Sequence, residues 1–438
     1  MTVSRRDLLL GTAGLAAGAA GGRLLGSGPA LAQGAPAYKP EPGASLRVLR
    51  WTPFVKAEED SWLALTKKFS DETGVAVRVD KESWEDIRPK AAVAANVGAG
   101  PDIMLIWFDD PFQYPDKLVD VTDIATAFAG KYGGYYPGLE GYAKQGNKFI
   151  ALPLATIGNG ILYRESMLQQ AGWSKFPEKS DEFLEMCKAL KAKSKPAGFA
   201  LGKAVGAGNN FAHWIVWSHG GKMVDESGKV VINSPETIKA LQYVRELYQT
   251  FIPGTESWLD INNNRAFLAG QVSLTANGVS LYFSIKNDPA TAPIAQDTEH
   301  QELPKGVLSA SPMAGLTLNA MVFKHSRYPN ASKAFLQFML EREQYDPWLN
   351  ANLGYWAHPL ANYDASAVWT SDPKVELFRN TMRSTFYNGY KGPLSEATGA
   401  ATADYVMVQM CAAVASGQST PEAAAREAER RARRYFRR

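Results

Sequence analysis

The chain has little cysteine: Cys187 and Cys411 are the two in 438 residues. That is too few for a disulfide framework. Each sits in a helical pattern, where a thiol behaves as a small buried hydrophobe. Catalytic signatures are missing as well. There is no His-Glu-x-x-His, no Gly-x-Ser-x-Gly and no P-loop spacing. His213 and His219 stand six apart, which puts them off a common helical face. Neither sign of charge is in excess, with 47 basic and 44 acidic residues, or +3. Removing residues 1–32, with three Arg and one Asp, leaves +1. A balance this even gives no electrostatic case for a nucleic-acid partner. Beyond the N-terminus no apolar run reaches the ~20 residues a membrane helix needs.

What the chain does have is apolar and aromatic residues. Hydrophobic residues make up 45%, ample for a large core, and the length favours two domains over one. Eleven Trp and eighteen Tyr are many, and several fall outside any apolar periodicity. The N-terminus reads as an export signal over residues 1–32. Arg5-Arg6 is a twin-arginine pair, a mild Gly/Ala/Leu stretch follows, and Ala30-Leu31-Ala32 is an A-x-A-like cleavage site. Residues 33–44, rich in Pro, Gly and Ala, read as a flexible lead.

The stretch Gly98 to Asp110 organises the rest. A Gly/Pro turn opens it, and an unbroken apolar run follows, Ile103 to Trp107. Such a run suits a central strand buried on both faces of a parallel sheet. Polarity then flips to Asp109-Asp110 beside Trp107 and Phe108. Ligands of open α/β sheets bind outside the carboxyl ends of strands, so a ligand site is expected there; the plainer alternative is a buried strand with solvated loop acids. Upstream, a strand ending at Trp51, a helix carrying Trp62, Leu65 and Phe69 and stopped by Gly74, a strand over 75–79 and a helix from Ser83 complete a βαβαβ order. Short strands are expected at 199–201 and 230–232, and a helix capped by Asn330 over 331–340. Pro/Gly-flanked breaks near 153–160, 295–312 and 354–359 read as hinges between two lobes.

Four stretches carry a resemblance: Gly100-Pro101-Asp102-Ile103 before its strand and Trp, Ile161 to Leu168 (ILYRESML), Val231 to Leu241 (VINSPETIKAL) and Ala415 to Ala424 (ASGQSTPEAA). Together they resemble the maltose-binding-protein-like extracellular solute-binding proteins of family 1, components of ABC sugar importers. The resemblance implies an α/β, two-lobed, periplasmic-binding-protein-like class II fold with a ligand cleft between lobes joined by hinge segments. Matching the order places lobe one at 45–155 and 313–355, lobe two at 156–300 and 356–438, and a crossing segment at 301–312. It further implies a periplasmic monomer that takes a carbohydrate ligand and meets ABC permease subunits, with no cofactor and no metal.

A sugar offers an apolar C–H face and a rim of hydroxyls, so aromatic faces and planar polar side chains hold it. Carboxylates are strong rim partners. Candidate contacts from lobe one are Trp51, Trp107, Asp109 and Asp110. From lobe two come Asn159, Trp214, Trp258, Asn277 and Asp404, and from segments near the third break Tyr355, Trp356 and Tyr387. Trp84 stands outside this set, and Trp62 and Trp173 read as core. Pro111 stands where the family has a basic residue after the acid, so the rim chemistry differs. Two other readings stay open. One is a binder of a polyol phosphate, which needs clustered Arg or Lys, or of a quaternary amine, which needs an aromatic cage. The other is a secreted carbohydrate-active enzyme, which needs a carboxylate pair at a set separation.

Overall fold

A computed structural model describes residues 37–436. The expected export segment, residues 1–32, lies outside them. β1 (Ser45–Trp51), β2 (Ala76–Glu82) and β3 (Ile103–Trp107) run parallel in the order β2-β1-β3. Helices Lys56–Thr73 and Ile87–Val97 form the crossovers. The first stops at Gly74, whose φ of 74° is left-handed and suits a residue without Cβ. All five residues of β3 are buried, as an unbroken apolar run under helices requires.

The chain continues through a small hairpin, β4 (Lys144–Gln145) and β5 (Lys148–Phe149), into β6 (Leu152–Ile157). Beyond it, β7 (Gly160–Arg164), β8 (Leu274–Asn277) and β9 (Thr298–Gln301) build a second, antiparallel sheet in the order β8-β7-β9. β10 (Met313–Ala314) leads into β11 (Leu316–Val322), which returns to the first sheet. There it lies antiparallel between β3 and β6, giving β2-β1-β3-β11-β6. A late strand inserted into an early sheet means that the chain leaves the first lobe and comes back. β12 (Thr385–Phe386) pairs in parallel with β10.

Two crossings run between the sheets, β6 to β7 through Gly158-Asn159 and β9 to β11. The third lies further along the chain than 354–359. Tyr135 bridges Leu360 and Thr156 bridges Ala357, so this segment still lies against the first lobe. The chain reaches the second lobe's side only near Asp372. Asp372 accepts from the Tyr282 hydroxyl at 2.8 Å and the Lys286 ammonium at 2.6 Å, and Lys374 Nζ donates to the Thr298 carbonyl at 2.6 Å. A Pro/Gly break marks a turn, and here the turn folds back onto the same lobe.

Three local expectations need correction. Residues 199–201 and 230–232 form no strand; nearby, Ala197 makes isolated bridges to Phe251 and Leu274, and Val230 makes one to Val224. Phe199 instead packs its ring on Phe211, Trp214 and Phe251. The helix Pro329–Leu340 is not capped by Asn330. The Glu41 carboxylate caps it from outside, accepting the Asn330 and Ala331 N–H groups at 2.8 and 2.9 Å. That bond ties down the described part of the lead, 37–44, which is therefore not a free linker. Cys187 and Cys411 are buried and unpaired, and burial pushes the Cys411 thiol up to about 12.

Candidate functional site

The two lobes face each other across a cleft at the carboxyl ends of β1 and β3. One wall comes from the first lobe: Phe54, Trp84, Phe108 and Tyr355, with Leu316 from β11. The other comes from the second lobe: Asn159, Asn210, Asp260, Asn263, Asn264, Asn277 and Ser280. The space between the walls is about 50 Å³ and is partly open to the outside. One wall is aromatic and the other is amide.

Backbone geometry explains why Phe108, rather than Trp107, is in the wall. Phe108 has φ 44°, a left-handed conformation that a bulky residue rarely adopts. Its N–H donates to the Thr317 carbonyl at 3.0 Å and its own carbonyl accepts from Asn319 Nδ2 at 2.7 Å, which hold it there. Strain of this kind, about 1–3 kcal/mol, persists where the surroundings over-determine it and clusters at ligand sites. Trp84 is backed by Trp107, with ring centroids 4.0 Å apart, and flanked by Phe54 at 5.1 Å.

The amide wall is held by its own hydrogen bonds. Asn263 Nδ2 donates to the Ala276 carbonyl at 3.1 Å, and Asn277 Nδ2 donates to Asn264 Oδ1. Asn210 Nδ2 donates to the Ala314 carbonyl at 3.2 Å. Asp260 accepts the Ala207 N–H at 2.6 Å and the Gly206 N–H at 3.2 Å, at the start of helix Ala207–Ser218. Burial pushes Asp260 up to about 6, and these backbone donors hold it back. Three buried polar atoms in the cleft have no partner: Asn159 Oδ1, Asn210 Oδ1 and Trp84 Nε1. Two acceptors and a donor on the cleft's lining residues are thus left unsatisfied by the protein.

A family model described as bacterial extracellular solute-binding protein matches residues 64–377. The chain belongs to that family. A Deinococcus radiodurans relative, a probable ABC transporter-binding protein, is 25% identical over 45% of this chain, and the match spans 47% of its own length. Among solved structures, a maltose-bound T. maritima MalE3 superposes with a TM-score of 0.76 at 20% identity, covering 89% of this chain and 99% of that one. A sugar transporter from Arthrobacter chlorophenolicus A6 with bound laminaribiose gives 0.76 at 17%, with the same coverage. The two-lobed fold is therefore that of the MalE-like binding proteins.

Of the residues expected at the site of this solute-binding protein, the cleft brings together Asn159, Asn277 and Tyr355. The others lie elsewhere. Trp51, Trp107 and Trp356 are fully buried and pack on one another, with Trp51 centroids 5.0 Å from Trp107 and 4.9 Å from Trp356. They stand behind the aromatic wall. Trp214 is buried in the second lobe's core, its Nε1 donating to the Pro304 carbonyl at 2.9 Å; Asn210, one turn earlier, faces the cleft. The Trp258 ring lies against Gly198, and Asp260 from the same loop is what enters. Asp404 pairs with Arg431 at 2.6 Å, and Tyr387 packs toward Tyr390. Neither lines the cleft.

Asp109 and Asp110, expected as ligand contacts, do not line the cleft, and they are buried rather than the solvated loop acids of the plainer alternative. Asp110 pairs with Arg88 at 2.8 Å and accepts from Gln113. Asp109 sits where the lobes touch. A Cβ on Gly399 of helix Glu396–Ala403 would lie 2.9 Å from the Asp109 carbonyl oxygen, so this approach needs glycine. Asp109 Oδ1 has Asn388 Nδ2 at 3.4 Å, Oδ2 has no partner, and burial pushes the carboxyl up to about 7.

Phe54, Phe108, Trp84, Asn210, Asp260, Asn263 and Asn264 lie outside the expected set. One signal is available for part of it. Asn262-Asn263-Asn264 is a run of poor helix formers, yet it opens the helix Asn262–Leu268. Such a run is more useful for its amides than for its propensity. Among the described residues no helix is long and apolar enough to cross a membrane, and no group of three or more His, Cys, Asp or Glu is placed to hold a metal ion.

Proposed function

We propose that this protein captures a carbohydrate between its lobes outside the cytoplasmic membrane and delivers it to the permease subunits of an ABC importer. The observation that carries the reading is the cleft itself. An aromatic wall faces an amide wall, matching the apolar face and hydroxyl rim of a sugar. Neighbours of the same fold hold maltose and laminaribiose. No Lys, Arg or His lines the cleft among the described residues, which speaks against a phosphorylated ligand. Asp260 is its one carboxylate, and a glycosidase needs two about 5–9.5 Å apart.

A thermal-shift screen of purified protein against mono-, di- and oligosaccharides tests the reading. A ligand at 100 times its dissociation constant adds about 2.7 kcal/mol of stability. No shift with any carbohydrate would reject it. Export by the twin-arginine route with cleavage after Ala32 belongs to the same proposal. N-terminal sequencing of periplasmic protein should begin at Gln33, and Arg5→Lys with Arg6→Lys should stop export.

A further inference from the structure

We infer that the ligand is one uncharged, hydroxyl-rich unit: a single sugar ring or an open-chain polyol of similar size, without phosphate, carboxylate or amine. The inference rests on the carbohydrate reading above and narrows it by charge and by length.

Charge is decided by what surrounds the cleft. No cationic side chain lines it among the described residues. A phosphate or uronate would enter a buried space without a counter-charge, which is strongly unfavourable. The one ionisable group, Asp260, already has both carboxylate oxygens on backbone N–H groups at a helix N-terminus, Gly206 and Ala207. That position suits a carboxylate on its own. An ammonium ligand would have to draw Asp260 away from these donors. The neighbouring Arg88 does not change this balance, because it is paired with Asp110 behind the Phe108 ring.

The unpartnered polar atoms of the lining residues point the same way. Asn159 Oδ1 and Asn210 Oδ1 each need a donor, and Trp84 Nε1 needs an acceptor. A hydroxyl is both, so a ligand with several hydroxyls satisfies all three without carrying charge. The Asn210 acceptor is pre-set, since its own amide nitrogen is held by the Ala314 carbonyl at 3.2 Å, and the Asn159 backbone N–H is anchored on Met313 Sδ at 2.9 Å.

Length follows from how little the lobes need to part. About 50 Å³ holds a few water molecules at ~10–15 Å³ each. Phe54 and Trp84 gather at one place, with centroids 5.1 Å apart, rather than along a groove. Beside them Asp109 touches Gly399 across the lobes and closes the β3 end. One ring fits such an arrangement after a modest opening; a chain of rings would hold the lobes apart.

The test is calorimetry on the full mature chain with hexoses, pentoses, pentitols, hexitols, disaccharides, hexose phosphates, uronates and glycine betaine. At least one neutral monosaccharide or polyol should bind, and at least tenfold more tightly than any disaccharide or charged compound in the panel. Two variants read the open atoms. Asn159→Ala removes an acceptor, and Trp84→Phe keeps the ring on Trp107 but removes the donor. Each should weaken binding about tenfold, the loss of one hydrogen bond to a ligand. The ligand-free unfolding temperature should stay put in at least one of them. Tighter binding of a disaccharide, a phosphate, a uronate or betaine would overturn the inference; with the first three, carbohydrate capture would stand. Unchanged affinity in both variants would also overturn it. Failure of every carbohydrate to bind would overturn the proposed function and this inference together.

Discussion

Asp109 is an acid held where an acid is least at ease. Asp110, Arg88, Thr398 and Tyr142 surround it, burial dominates, and its carboxyl rises to about 7. A raised acid binds its proton more tightly in the folded state than in the unfolded one. The stability that this group contributes therefore falls as pH climbs between about 4, the ordinary value, and 7, then levels off. Asp109→Asn keeps the shape and removes the titration. The stability of the variant relative to the parent should rise between pH 4 and 7, read from urea midpoints measured across that range. Parallel profiles would mean that Asp109 is ionised in the folded protein.

The residue scale is also where the sequence is least legible. It points to the right segments and, in several of them, to the wrong side chain. Trp107 gives way to Phe108, Trp258 to Asp260 and Trp214 to Asn210, and of the expected pair Tyr355 and Trp356 only Tyr355 lines the cleft. Trp107, Trp214 and Trp356 share one cause. The largest apolar ring in each segment gains most from the core, so it goes inside and leaves a neighbour at the surface of the cleft. At Phe108 the left-handed backbone finishes the exchange, and strand alternation does not foresee it.

At the scale of elements the sequence is legible where local chemistry decides. Gly74 stops its helix, and Ser234 caps the helix Pro235–Tyr248 by accepting the Thr237 N–H at 3.2 Å. It is opaque where a distant partner decides. Glu41 caps a helix nearly three hundred residues away, and nothing near Asn330 reveals this. Glu41→Ala should cost about 0.5–2 kcal/mol, read as a lower unfolding temperature with ligand affinity unchanged. Helix Glu396–Ala403 offers a second test. Gly399→Ala places a methyl group 2.9 Å from the Asp109 carbonyl. The lobes should then meet less closely. Ligand affinity should drop at least tenfold, while the ligand-free unfolding temperature moves little. Normal affinity in this variant would mean that the lobes do not need this contact to hold the ligand.

The whole molecule is a pair of sheets that share one chain three times. β11 inserted between β3 and β6 makes the first lobe depend on residues from both sides of the second. Such lobes move as bodies about a few connecting residues. Small-angle scattering should give a smaller radius of gyration when ligand saturates the protein. An unchanged radius would mean that the ligand enters lobes that stay as they are.

The tryptophans behind the aromatic wall have an optical consequence. Trp84 and Trp107 lie 4.0 Å apart at 30°, and Trp51 stands 5.0 Å from Trp107. At such separations indole excited states are shared rather than local, and light absorbed by one ring is re-emitted by another. The cluster should give a paired positive and negative band in ultraviolet circular dichroism that Trp84→Phe diminishes. Because Trp84 also lines the cleft, occupancy should change both that band and the emission colour of the whole cluster, and the protein would report its own cargo without a label.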